Sequence, residues 1–218
     1  MGEQPSILRD IYEHVARKVS VLQQEYLNNS SWGKQQLAHL RHGDMTAPGV
    51  DSQLWEIVFV DMPDSLIGHT DDPSRAELAV HAALVLYAVH QQSQSDPMHR
   101  PGVHFGRAVQ HLARVRGQEN DPDQGTIDRF HQLCAQQGLP MRLRSLRSLV
   151  TLMRSEQVGF DYAQLAIDLY LIQNKKTVNK VLLQWGRDFH VPFRRSSTDT
   201  TQDSTSSAHA DTTTSKEN

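Results

Sequence analysis

The chain has 218 residues, 38% of them apolar and 22% charged, with a single cysteine. That length can bury a real core, one cysteine excludes an intrachain disulfide framework, and no apolar run approaches the length of a membrane-spanning helix. The formal net charge of -3 hides an uneven distribution: residues 1–99 hold 6 Lys/Arg against 13 Asp/Glu, residues 100–195 hold 15 against 8, and residues 196–218 hold 1 against 4.

Residues 6–28 read as a helix, because Ile7, Leu8, Ile11, Val15, Val19, Leu22 and Tyr26 recur at spacings of three and four. Pro5 and Ser6 suit its start. Ser30 or Ser31 caps a shorter helix carrying Trp32, Leu37 and Leu40, which ends near Gly43. Met45–Val50, with Pro48 and Gly49, is a loop. Leu54–Val60 has the aromatic and β-branched content of a strand, but no second strand exists to pair with it, so a short helix is favoured. Asp72-Pro73 offers a cap and a first-turn proline to a helix through 76–92, whose Ala, Leu and Val content makes it central to a first lobe.

Residues 93–102 form a polar loop with two prolines and a glycine, and the charge balance changes sign there. Four helices follow at about 103–116, 124–137, 139–156 and 161–190, the last broken near Asn174, with Gly117, Gly138 and Gly159 as punctuation. From Ser196 to Asn218, 13 of 23 residues are Ser or Thr and none is large and apolar, a composition expected to be disordered. The fold expected is all-α: a two-lobed helical bundle with an N-terminal lobe at 1–98, a basic lobe at 99–195 and a tail at 196–218.

Two helices allow charge to be placed rather than counted. At roughly 100° per residue, Leu143, Leu146, Leu149, Val150 and Met153 share a sector of roughly 120°, and Arg144, Arg147 and Arg154 fill an adjoining one of roughly 80°. Arg142, near the start of that helix, can turn toward solvent. In the last helix Val178, Val181, Leu182, Trp185 and Phe189 fill roughly 100°, while Lys176, Lys180 and Arg187 cluster within roughly 40° on the opposite side. No acidic residue stands four positions from Lys176 or Lys180. Unpaired cations opposite a core face suit phosphate contact, with affinity gained through counterion release. The expectation is that cations from separate helices converge on one anionic ligand.

Catalytic chemistry is not legible. No GxSxG, GxxxxGK[ST] or GxGxxG segment occurs. His39 and His42 stand three apart and His104 and His111 seven apart, without the further ligands a closed metal site needs. His69 with Asp71 and Asp72 reads as a turn and helix cap, and Cys134 as a structural thiol inside a helix. Neither an enzyme nor a cofactor is expected. The competing readings are a helical DNA-binding transcription regulator, for which no helix-turn-helix is evident, and a helical enzyme around His104 and His111.

Several segments of the second half carry a resemblance. Gly102-Val103-His104-Phe105-Gly106-Arg107-Ala108-Val109 is followed by Arg129-Phe130-His131-Gln132-Leu133, then Leu146-Arg147-Ser148-Leu149-Val150, Asp161-Tyr162 leading to Leu165, and Lys175-Lys176. In order and spacing, over roughly residues 70–190, they resemble the CasB-type small subunit of type I-E Cascade, the CRISPR surveillance complex. The first matches its G-x-S-x-G-R-A-L segment with His104 in place of Ser; the second matches its R-x-F-x-x-L helix with a slight shift.

The lone Cys134 makes a reducing cytoplasm the expected compartment, and the resemblance separately implies an all-α, non-enzymatic subunit present as two copies. Its implied partners are the Cascade backbone and large subunits, CRISPR RNA and target DNA, which it helps hold in the R-loop during antiviral defence. It places nucleic-acid contacts on Arg75, Arg107, Arg129, Arg147, Lys175 and Lys176; Arg142, Arg144, Lys180 and Arg187 rest on the helical-face argument alone. No metal and no membrane enter this reading.

Overall fold

The structure, a computed structural model, describes residues 4–118 and 121–190. Within them the chain forms α1 (Gln4–Leu27), α2 (Ser31–His42), a short α3 (Trp55–Val58), α4 (Arg75–Gln91), α5 (Phe105–Arg116), α6 (Gln124–Ala135), α7 (Leu139–Ser155), α8 (Tyr162–Ile172) and α9 (Val178–His190). Single 3-10 turns precede and follow α3 at Ser52–Leu54 and Asp64–Leu66. No strand is present among the described residues; only isolated bridges pair His99 with Phe160 and Gln118 with Asp121. The fold is the expected all-α one, and the tail expected from 196 onward lies outside the described residues.

The predicted periodicities become buried faces. Ile11, Val15, Val19 and Leu22 of α1 are fully buried, as are Leu37 and Leu40 of α2. Ser30 caps α2 by accepting the Gly33 N–H, and Gly43 closes it. The apolar stretch at 54–60 is the 3-10 turn and α3, with Leu54, Ile57 and Val58 turned inward. One start is corrected: α4 is capped by Ser74, not by Asp72-Pro73. The Ser74 Oγ accepts Glu77 N–H at 3.0 Å while the Glu77 carboxylate accepts Ser74 N–H at 2.6 Å. This reciprocal box satisfies two end donors at once, whereas Asp72 stays exposed in the turn before it.

Packing divides the helices into two lobes. α1, α2, α4 and α8 pack on one another, with α3 on α4; α5, α6, α7 and α9 form the second group, and α4–α7 and α8–α9 contacts join the two. α8 thus crosses from the C-terminal stretch of the chain to lie on α1 and α4. It can do so because it is apolar nearly all round, as is α4, and such helices are stable only when surrounded. α4 is buried almost continuously from Ala79 to Gln91.

A single carboxylate holds the entry to α8. Asp161, 2% exposed, accepts the N–H groups of Ala163 and Gln164 at 3.0 and 3.1 Å as the helix cap. It also accepts Gly102 N–H at 2.9 Å and the Tyr12 hydroxyl at 3.2 Å. Beside it, Arg100 N–H donates to the Phe160 carbonyl and Phe160 N–H to the Met98 carbonyl. Two motifs from the sequence, the Gly102 segment and Asp161-Tyr162, are therefore two sides of one joint.

Candidate nucleic-acid interface

The break between α8 and α9 sits where the two lobes meet. Thr177 and Val178 N–H groups bond the Asn174 carbonyl and Asn174 Oδ1 accepts Lys176 N–H, a turn that carries Lys175 and Lys176 outward. Around it lies a groove of about 620 Å³ whose lining includes Arg75 at the start of α4, Cys134 from α6, Arg142 from α7, Gln173 and Lys175 from the α8–α9 joint and Asn179 from α9. Three predicted cations from three separate places in the chain share this groove, and no carboxylate lines it.

Arg142 does not turn toward solvent as its place near the helix start suggested: it is 6% exposed, and its Nε has no hydrogen-bond partner. On the helical wheel it falls between Leu149 and Met153, on the flank of α7 that packs inward. Burial lowers its pKa from the ordinary arginine value. The same surroundings raise the Cys134 thiol above its usual range, burial outweighing the opposing pull of Arg142. Arg75 is exposed at the rim, its guanidinium over the Tyr170 ring.

The other predicted cations are distributed. Lys176, Lys180 and Arg187 are exposed and carry no side-chain hydrogen bond or ion pair among the described residues. Arg147 leaves the opposite flank of α7 and donates to the Arg41 carbonyl of α2 at 3.2 Å. Arg144 is exposed one turn before it, with only a long contact to Met141 sulfur at 3.9 Å. Arg129 folds back on its own helix, donating to the Gly125 carbonyl at 2.8 Å. The structure brings Arg75, Arg142 and Lys175 together and leaves Arg144, Arg147, Arg129 and Arg107 on other surfaces.

Arg107 lines a second cleft, of about 440 Å³, along α5. There it is joined by His111 and Arg114, one and two turns on, and by Arg100 from the loop before the helix. None of these three arginine side chains makes a hydrogen bond or ion pair among the described residues, and no acidic residue lines the cleft. Arg100 and Arg114 were not expected as site residues. The spacing Arg107, His111, Arg114 is a one-face helical stripe visible in the sequence; Arg100 joins it only through the pairing of residues 98–100 with Phe160.

By contrast, Arg116 is neutralised by Asp123 at 3.5 Å and Glu156 at 2.9 Å. His104 meets Asp188 at 3.2 Å. Among the described residues no three His, Cys, Asp or Glu side chains gather as they would around a metal ion.

Comparison with known proteins agrees with this architecture. A family model described as CRISPR-associated protein Cse2 matches residues 36–190. The crystal structure of CasB from Thermobifida fusca is similar at 28% sequence identity with a TM-score of 0.68, over 84% of this chain and 98% of that one. Among curated proteins, none matches.

Proposed function

The chain belongs to the CRISPR-associated Cse2 family, the CasB-type small subunits of Cascade, and we propose that it acts there as a non-catalytic binder of nucleic-acid backbone that stabilises target DNA in the R-loop. The observation that carries this reading is the groove at the lobe junction: Arg75, Arg142 and Lys175 converge with no carboxylate among its lining residues. A buried guanidinium with an orphan Nε is costly unless something polar meets it, and a phosphate oxygen supplies both acceptor and counter-charge.

Base pairing with a guide supplies sequence selectivity in such complexes, so cations without base-reading geometry suffice. Lys176, Lys180 and Arg187 form a separate exposed positive stripe on the side of α9 opposite Val178 and Leu182, which line the groove. The groove that faces CRISPR RNA and target DNA takes Arg75 from the otherwise acidic 1–98 segment and Arg142 and Lys175 from the basic 99–195 segment; the Cascade backbone and large subunits are the protein partners. A second copy of the chain completes the assembly, which works in the cytoplasm.

Co-purification with a tagged CRISPR ribonucleoprotein tests the assignment. The chain is expected to be retained only when guide RNA and the backbone subunits are both present. Equal recovery without either one overturns the reading.

A further inference from the structure

The α5 cleft differs from the groove in what lies next to it. Gln110, which lines the cleft, donates from Nε2 to the Phe189 carbonyl, and the Phe189 ring stacks on Phe130 at 5.0 Å. The C-terminal end of α9 is thereby fixed beside Arg107, His111 and Arg114. Its other end stands at the groove, a helix length of roughly 20 Å away. His190 is the last described residue, and the sequence continues for 28 more, 191–218.

That continuation has the complementary chemistry. Residues 196–218 carry Asp199, Asp203, Asp211 and Glu217 against Lys216 alone, among 13 Ser and Thr hydroxyls. The cleft presents three arginines and a histidine without a lining carboxylate. Five residues, 191–195, separate the end of α9 from the acidic segment, and Arg194 and Arg195 fall within that lead. Fully extended, five residues span about 17 Å, enough to bring Asp199 and Asp203 back over α5.

We propose that the resting occupant of the α5 arginine cleft is the chain's own acidic, Ser/Thr-rich segment 196–218. Carboxylates meet the guanidinium groups, and hydroxyls bridge to their remaining N–H donors. Tethering favours this contact over any free anion of equal intrinsic affinity, because the local concentration across a short linker is in the millimolar range. The segment then competes with any polyanion for Arg100, Arg107 and Arg114, and salt weakens the contact. The competition with nucleic acid rests on the function proposed above; the docking does not.

The test is a photo-crosslinking amino acid placed at Ser204 of the full-length chain, with adducts mapped by mass spectrometry. Adducts are expected on α5 and residues 157–159 at low salt. They should fall roughly threefold or more, the weight of two or three exposed ion pairs, in R107A/R114A, or when Asp199, Asp203 and Asp211 become Asn and Glu217 becomes Gln. Should the double variant unfold, R114A alone, at an exposed position, serves the same purpose. Adducts spread over both lobes, or unchanged by either set of substitutions, overturn the docking. In parallel, a chain ending at Arg195 is expected to bind a labelled single-stranded oligonucleotide several-fold more tightly at low salt. Adducts on α5 without that gain would uphold the docking and count against nucleic acid entering this cleft.

Discussion

Arg75 lays its guanidinium over the ring of Tyr170, 5.0 Å from its centroid, and reaches the phenol oxygen within 3.5 Å. The first residue of α4 is thus held against α8, and Gln173 adds a second tie by donating to the Arg75 carbonyl at 2.8 Å. A long, exposed side chain is pre-positioned at the rim of the groove.

The Arg75→Ala variant separates stability from binding. An exposed cation–π contact contributes only about 0.5–1 kcal/mol, so the melting temperature should change little. In the assembled complex, the slope of log affinity for DNA against log salt should become shallower by about 1. An unchanged slope places Arg75 outside the interface.

Arg142→Met replaces a buried cation by an apolar chain of similar reach that leaves no donor unsatisfied. Removing an orphan buried donor spares a desolvation cost of about 1–3 kcal/mol. Thermal unfolding should therefore show equal or higher stability, together with weaker DNA capture. A melting temperature lowered by several degrees would make Arg142 a structural brace.

Gly106→Ala tests why the Gly-Arg-Ala segment takes its form. A Cβ there would collide with the Trp185 carbonyl oxygen of α9, so the two helices must separate. Overpacking of this kind costs about 1–3 kcal/mol, readable by denaturant titration. Gly186, where an added Cβ meets nothing within 4 Å, is the matched control; equal effects at both sites would refute the close-approach argument.

The buried His90 and the half-buried Asp168 set opposing pH dependences. Burial, reinforced by nearby Arg154 and Arg100, drives the His90 imidazole down to about 3. Burial raises the Asp168 carboxyl to about 6, against the pull of hydrogen bonds from Trp185 and Gln164 and a weaker attraction to His104, with Asp188 adding to the rise. Between about pH 6.5 and 3 the unfolded chain takes up the proton that folded His90 refuses, so acidification removes up to about 1.4 kcal/mol per pH unit. Asp168 acts in the other direction: its contribution is full below the unfolded carboxylate value and is lost as pH rises toward 6. Asp168→Asn should therefore steepen the acid-side loss of stability between about pH 4 and 6. Parallel stability curves for the two proteins would contradict the assignment.

Most helices were legible because apolar residues recur at helical spacing, and the Ser74–Glu77 box was itself in the sequence, two residues beyond the Asp72-Pro73 signal that outweighed it. The lobe to which α8 belongs was not legible: a helix apolar nearly all round, with only Gln164 and Asp168 polar, offers little preferred face, and its partners emerge only in three dimensions. For the interface, helical angles already placed Arg142 between Leu149 and Met153, which makes its burial readable in hindsight. They could not show that Arg75 and Lys175, distant in sequence, reach the same groove, because that depends on α8 packing on α4. The expected convergence of all ten cations is divided in space among a groove, a cleft and exposed faces.

The proposed function rests on cations around the α8–α9 joint holding nucleic-acid backbone. Its most direct measurement is the R-loop lifetime of the assembled complex carrying Lys175→Glu and Lys176→Glu, two exposed positions without ion pairs. Assembly should be normal and the lifetime clearly shortened at physiological salt, with the defect growing as salt is lowered, where electrostatic contacts weigh most. Normal assembly with an unaltered lifetime across that salt range would contradict it.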